Sequence, residues 1–313
     1  MSNSKQNQYG RAFEFSILRA LLAEHSQRGL DVKLSQTSAL RHSTASYHEL
    51  ELDAQTEMDR ASTVGISMFC QLEPSQFDTK LSPSATVYLS EDSAGQKGDP
   101  RDIVIERGDW RVGISAKHNS LWVKSPRLSN LASFGPNWLG VKCTEEYCRT
   151  VESAFETVRK RGVVNWKDLE EVDKQRLYKD VLVAFSAEIE ELQRLHGEPV
   201  VTSFFRFLLG THDYYKIAKI GNATHVQPFN PNGSLTASIN KAKPLTLLKK
   251  SALPKRILKA EVTAWNRMRL YFDAGWQIEL RIHNKDKEIG RSVGFETEVI
   301  GQPADIFTIL LPW

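Results

Sequence analysis

Cysteine is scarce: Cys70, Cys143 and Cys148 are the only three in 313 residues. Three thiols cannot build a disulfide framework and read as reduced side chains of a cytosolic protein. Cys143 and Cys148 lie five apart with no histidine pair beside them, which is not zinc-ligand spacing. No apolar run approaches the roughly 18 residues that a membrane helix needs. The first ten residues are polar and lack the apolar stretch of a secretory signal, so a cytoplasmic location is expected. Three common signatures are also missing: the Gly-x-x-x-x-Gly-Lys phosphate loop, Gly-x-Gly-x-x-Gly after a strand, and the Gly-x-Ser-x-Gly nucleophile elbow. There is no internal repeat and no low-complexity tract. What remains is ordinary globular composition, 41% hydrophobic and 25% charged, with chain enough for one large domain or two modest ones.

The net charge of +3 is too small to demand a polyanionic partner. Its distribution is more telling. Residues Ala45–Asp109 carry 5 basic and 13 acidic side chains, whereas Lys241–Arg269 carry 9 basic side chains and only Glu261. Such asymmetry suits one surface built for a polyanion and another that is not, or simply two solvated faces of opposite sign.

Helical spacing of Phe13, Ile17, Leu18, Leu21 and Leu22 predicts a first helix over Gln8–Ala23, and a carboxylate-rich second helix is expected over about Ala45–Arg60. Short strands are expected at Ala85–Leu89, Asp102–Glu106 and Arg111–Lys117, the last two joined by a turn at Arg107–Trp110. From Thr144 to Gly197 the pattern is helical, with Thr144 starting one piece, Asn165 capping a second and Gly197 stopping it. Val200–Leu209 reads as a buried helix. Beyond Thr211 the signals are β: Tyr214–Ile220, the loop Asn230–Gly233, then Arg267–Phe272, Gln277–His283 and Ser292–Ile300 as an antiparallel meander. The expected class is α/β (α+β), arranged as regions 1–143, 144–210 and 211–313 or as one compact domain.

Chemistry concentrates in the first hairpin. Pairing Glu106 with Arg111 sets Asp102 opposite Ser115, and the two-residue period puts Asp102, Val104 and Glu106 beside Gly113, Ser115 and Lys117. Ile103, Ile105, Val112, Ile114 and Ala116 form the apolar face. A carboxylate, a hydroxyl and an amine above a hydrophobic layer suit metal-assisted phosphodiester hydrolysis. Asp102 and the Ala116 carbonyl would hold Mg²⁺, and Lys117 would orient water or stabilise charge on the phosphate. Spacing alone equally allows a hairpin with a solvated polar face. Asp99 is an alternative ligand that Pro100 disfavours.

Asp102…Ser115-Ala-Lys117 resembles the PD-(D/E)XK nuclease signature, with Ser in place of the second carboxylate. More specifically, Arg101-Asp-Ile-Val-Ile, Gly113-Ile-Ser-Ala-Lys-His-Asn119, Arg127-Leu-Ser-Asn130 and Phe134-Gly-Pro-Asn-Trp138 resemble the HaeIII family of type II restriction endonucleases. Leu208–Lys216, Asn230–Gly233 and Gly275–Asn284 extend the likeness in order along most of the chain. The resemblance implies a mixed central sheet flanked by helices and Mg²⁺-dependent cleavage of double-stranded DNA at GGCC, between G and C, leaving blunt ends. It also implies a companion cytosine methyltransferase protecting the host's sites. Twofold symmetry of the site favours a homodimer, although a monomer nicking twice fits the sequence equally.

With Ser115 in place of an acid, another carboxylate is needed. Glu14 is the first choice because it shares the apolar stripe of the first helix, where a carboxylate calls for a cation or partner; pairing with Arg11 is the alternative. Glu49, Glu51 and Glu57 are in reserve. His118 and Asn119 follow the lysine; a histidine there suits a base or a phosphate ligand, or equally an orienting or packing role. Arg127 and Asn130, and Arg281, His283 and Asn284, are candidates for the bases, while the basic run suits backbone phosphates. Two rival functions remain on sequence grounds: an inactive DNA-binding protein on a degenerate core, and a repair or junction nuclease.

Overall fold

The computed structural model describes the chain except residues 1–2, 79–80, 92–98, 129–133, 236–247, 290–292 and 305. Among the described residues it is a mixed α+β protein with seven α-helices and two sheets. The chain divides into two units. One comprises residues 1–121, 211–251 and 304–313, the other residues 122–210 and 252–303. Residues 211–251, which the sequence grouped with the C-terminal β region, therefore belong with the hairpin.

The first unit is built on a seven-stranded mixed sheet, ordered β1-β2-β3-β4-β7-β8-β13. Its strands are β1 (Asp31–Leu34), β2 (Ser84–Leu89), β3 (Ile103–Arg107), β4 (Trp110–His118), β7 (Tyr214–Ile220), β8 (Ala223–Phe229) and β13 (Ile309–Pro312). The hairpin has the register read from sequence, Glu106 opposite Arg111, closed by the two-residue turn Gly108-Asp109. β4 then pairs in parallel with β7, Ser115 beside Lys216 and His118 beside Lys219.

Three helices cover one face: α1 (Asn3–Gln27), α2 (Ser38–His48) and α3 (Leu52–Leu72). α1 buries Ala12, Phe13, Ile17, Leu18 and Leu21 against Ile103, Ile105, Val112, Ile114 and Ala116. Each large apolar side chain so buried contributes about 1.5–3 kcal/mol. The single helix expected over Ala45–Arg60 is in fact two. Thr37 caps α2 through its hydroxyl, which accepts from the Leu40 amide at 3.1 Å, and the chain breaks at residues 49–51 because Leu50 turns into the core.

α3 approaches the sheet closely at Gly65, where an added Cβ would lie 2.8 Å from Ile217 Cγ2 and 3.0 Å from Thr224 Cγ2. Glycine-to-alanine replacement inside a helix ordinarily gains about 1 kcal/mol. Here crowding reverses the sign, and Gly65→Ala is expected to cost about 1–2 kcal/mol in urea unfolding. A gain in stability would contradict this packing.

The second unit carries β5 (Trp122–Lys124), β6 (Arg127–Leu128), β9 (Ile257–Ala264), β10 (Arg267–Phe272), β11 (Gln277–Asn284) and β12 (Val293–Gly301). The expected meander is present: β10, β11 and β12 are antiparallel neighbours in a sheet ordered β5-β12-β11-β10-β9, with β6 also on β12. Its helices are α4 (Gly135–Trp138), α5 (Glu145–Arg159), α6 (Glu171–His196) and α7 (Glu198–Leu209). Thr144 caps α5 by accepting from Tyr147 N at 3.2 Å, and α6 stops at Gly197. Asn165 does not cap α6; it precedes a single 3₁₀ turn, Trp166–Asp168, and Glu170 stands at the α6 N-cap. The exposed edge of β9 is satisfied from α6: Ser186 donates to the Ala260 carbonyl, and Glu190 and Gln193 accept from the amides of Ala260 and Ile257.

Candidate active site

Asp102 stands just ahead of β3, where the ladder with β4 runs out. Its amide donates to the Ile114 carbonyl and its carbonyl accepts from Ser90 N, both at 2.9 Å, so the backbone is held although the strand has ended. Three donors converge on its Oδ2: the Ala116 amide at 2.8 Å, Lys117 Nζ at 3.1 Å and Ser115 Oγ at 3.2 Å. No described residue bonds Oδ1. Asp102 also lines a cleft of about 170 Å³ with Arg11, Glu14, Ser90, Asp99 and Arg101. The hairpin's polar face is buried at its centre, where Ser115 and Val104 are each 1% exposed, and half-buried at Asp102 and Lys117.

Glu14 reaches the same cleft from α1. Burial, then the charge of Asp102, pushes its carboxyl up to about 8, against the opposing pull of Lys117, Ser43 and Arg11. Its other fixed contact is the Ser43 hydroxyl, which donates at 3.0 Å. The structure thus brings Glu14, Asp102, Ser115 and Lys117 together. Ser43 was not anticipated, and nothing in its surroundings in the sequence marks it.

The Ala116 carbonyl belongs to this group. In a strand, a residue's N–H and C=O point to the same side. The Ala116 amide points at Asp102, so its carbonyl does too. By the register that joins Asp102 N to Ile114 O, the next donor would be Pro100, which has no N–H.

The other sequence candidates are engaged with other partners. Glu49 accepts from Gln8 at 2.9 Å, Glu57 pairs with Lys219 at 3.2 Å, and Glu51 is the N-cap of α3. Asp99 is committed to Arg101 through both carboxylate oxygens. His118 shares the strand face of Ile114 and Ala116, opposite to Lys117. Its ring packs 5.2 Å from that of Tyr9, and burial followed by the charge of Lys219 pulls its pKa down to about 4, leaving it neutral at physiological pH. Asn119 adopts a left-handed backbone (φ 48°), donates its amide to the Lys219 carbonyl and accepts from Gly221 N, a turn-fixing role.

In the second unit, Arg127 pairs with Asp286 at 3.4 Å and is half exposed. Arg281 is paired with Glu296 and lies 4.9 Å over the Trp122 ring. Nε2 of His283 is buried with no hydrogen-bond partner among the described residues, and burial, then Lys285, lowers its pKa to about 4. Asn284 ends β11. Asn130 lies outside the described residues, as does Lys241–Leu247 of the basic run. Most described members of that run are paired: Lys255 with Glu198, Lys259 with Glu261, Arg267 and Arg269 with Glu279.

A family model described as HaeIII restriction endonuclease matches residues 10–303. The chain belongs to the HaeIII restriction endonuclease family. A member of this family from Haemophilus aegyptius, the type II restriction enzyme HaeIII, is 32% identical over 323 residues, covering 100% of this chain and 99% of that one. No solved structure matches. The resemblance read from the sequence motifs therefore holds for nearly the whole chain, and this HaeIII-family protein is a type II restriction endonuclease of a restriction–modification system, with DNA as its substrate. No helix among the described residues is long and apolar enough to cross a membrane.

Among the described residues, no cluster of three or more His, Cys, Asp or Glu side chains forms a metal site in this HaeIII-family chain. Two carboxylates and a main-chain carbonyl are nevertheless a donor set that suits Mg²⁺, which takes few protein oxygens and keeps its waters. Glu14 supports the fit: a carboxylate forced to keep its proton by burial and by a neighbouring carboxylate would release it to a bound cation.

Proposed function

We propose that this endonuclease hydrolyses both strands of DNA at GGCC, between G and C, leaving blunt ends, through a PD-(D/E)XK-type centre formed by Asp102, Lys117 and Glu14. The carrying observation is the grip of three donors on one oxygen of Asp102, beside a second, half-buried carboxylate, Glu14. That grip leaves Oδ1 of Asp102, Glu14 and the Ala116 carbonyl to hold Mg²⁺. When bound, Mg²⁺ supplies Lewis acidity toward the scissile phosphate and a more acidic water.

The protein's own groups do the rest. Ser115 takes the place of the second acid of the signature and, with the Ala116 amide, fixes the Asp102 rotamer. Lys117, tied to Asp102 at 3.1 Å, places an ammonium where it orients the attacking water and stabilises negative charge developing on the phosphate. Glu14 supplies the carboxylate that Ser115 lacks. His118, neutral and packed on Tyr9, keeps the strand seated on α1.

The reading extends to recognition and assembly. Arg127, exposed on β6, is suited to guanine O6 and N7, with Arg281, Asn284 and Asn130 as further contacts to the site; His283, whose Nδ1 meets the Asn284 carbonyl and whose Nε2 is buried, supports β11 instead. A palindromic site favours a homodimer with each protomer cutting one strand, and a cytosine methyltransferase modifying GGCC would protect the host's own DNA. Arg127→Ala is expected to weaken binding to a GGCC duplex by about 1–3 kcal/mol in a gel-shift titration with Ca²⁺ replacing Mg²⁺. Undiminished affinity would remove Arg127 from the interface.

Incubation of phage DNA with the protein and Mg²⁺ tests the function. Discrete fragments with blunt ends at GGCC are expected. Fragments ending at another sequence would refute the specificity; intact DNA in a retarded band would indicate a binding protein instead.

A further inference from the structure

The sequence motif begins one residue before the catalytic aspartate, at Arg101, and it places a glycine in the middle of the catalytic strand. The structure connects these two features. Arg101 is only 4% exposed. Its stem lies flat on Gly113: a Cβ at that position would be 2.0 Å from Arg101 Cδ and 2.4 Å from its Cγ. Glycine inside a strand commonly marks such a close approach. The guanidinium is held by Asp99, with Nε on Oδ1 at 2.8 Å and Nη2 on Oδ2 at 2.7 Å, while the Arg101 amide donates to Oδ1 at 3.1 Å. Pro100, between them, fixes one backbone angle of the turn.

We infer that Arg101 is a positioning residue: clamped by Asp99 and seated on Gly113, it sets the Asp102 carboxylate against the Ala116 amide and Lys117. This rests on the reading of Asp102 given above. Asp102 has left the β3–β4 ladder pairs, so little besides its two backbone hydrogen bonds fixes the start of the strand. Arg101 adds a rigid anchor on the same sheet face as Ser115. The forked guanidinium matters because a lysine cannot span both oxygens of Asp99. Glycine matters because any side chain at 113 lifts the Arg101 stem and carries Asp102 with it. A displacement of about 1 Å at a reacting group costs on the order of 100-fold in rate.

Three variants of the full-length protein test this: Gly113→Ala, Arg101→Lys and the double variant Gly113→Ala/Arg101→Ala, the last compared with Arg101→Ala. Two readouts are needed, kcat and KM on a GGCC duplex, and hydrogen exchange of the Ala116 amide by NMR without metal or DNA. Gly113→Ala is expected to lower kcat ~100-fold with KM within ~3-fold. It should also speed Ala116 exchange ~10-fold while distant strand amides stay protected. Arg101→Lys should fall between Gly113→Ala and wild type. In the Arg101→Ala background the Cδ and Cγ overlaps are gone and only the Cβ, 2.8 Å from the added methyl, remains, so Gly113→Ala should add less than ~10-fold there.

A raised KM with unchanged kcat in Arg101→Lys would instead make Arg101 a phosphate contact and overturn the proposal. Unchanged Ala116 exchange, or multiplicative effects in the double variant, would overturn it too. If Gly113→Ala does not fold, Arg101→Lys and the comparison of the double variant with Arg101→Ala carry the test. The exchange experiment involves no catalysis, so a failure of Asp102 as a catalytic residue leaves it readable.

Discussion

Lys117→Ala is expected to cleave GGCC-containing DNA roughly 10²- to 10³-fold more slowly than wild type, with affinity for the duplex in Ca²⁺ changed only a few-fold. The magnitude is that of removing one preorganised charge from beside developing phosphate charge. Folding should be spared. The Lys117–Asp102 pair is about one-quarter exposed on each side, and such pairs contribute less than about 1 kcal/mol. Asp102 keeps its other two donors, Ala116 N and Ser115 Oγ, so its carboxylate stays in place. The loss should therefore lie in kcat rather than in binding. Single-turnover rates across a Mg²⁺ titration check this, and cleavage at the wild-type rate would exclude Lys117 from the chemistry.

Glu14→Gln has opposite effects on stability and on activity. The folded carboxyl has its pKa raised from 4.5 to about 8, chiefly by burial and then by Asp102. For a raised acid, the favourable contribution is complete below the ordinary value and is lost as pH rises through the folded value. Metal-free wild type should lose stability between about pH 4.5 and pH 8, by a few kcal/mol, ~4 at most. Glutamine keeps the uncharged form at every pH, so the variant should match wild type near pH 5 and exceed it at pH 8. Thermal unfolding in EDTA at the two pH values measures the difference. Mg²⁺ should raise the wild-type midpoint at pH 8 and leave the variant nearly unmoved. Cleavage by the variant should nonetheless be slow, because a neutral amide is a poor substitute for a carboxylate ligand. Equal stability profiles of the two proteins would show that Glu14 is not held against its charge.

The parts of this site that could be read from sequence are those set by short-range periodicity. Alternation along 102–117 gives the hairpin register, and helical spacing puts Glu14 on the buried stripe of α1. The cap at Thr144 and the stop at Gly197 are equally local. The parallel pairing of β4 with β7 was not legible, since parallel strands leave no signature in the connection between them. β13 pairs antiparallel with β8, but β9 to β12 lie between them in the chain, so no local turn signals the pairing. The break at 49–51 interrupts a stretch of good helix formers, because tertiary burial of Leu50 overrides local preference. His118 was legible and was left open: the two-residue period already sets it on the face of Ile114 and Ala116. Gly113 is likewise visible in the strand, but only the fold shows that Arg101 fills its place. The recognition contacts are least legible, since every surface arginine looks alike in sequence, and here most basic side chains of the 241–269 run that are described already have acidic partners.

Whether the Asp102 cluster cuts the DNA that this protein binds is open to a direct test. Asp102→Asn preserves shape and removes the charge, so the most direct measurement is its single-turnover cleavage of a GGCC duplex beside its affinity for the same duplex in Ca²⁺. Binding within a few-fold of wild type is expected, with cleavage slower by at least ~10³-fold at every Mg²⁺ concentration. Cleavage at GGCC by Asp102→Asn at the wild-type rate would contradict that expectation.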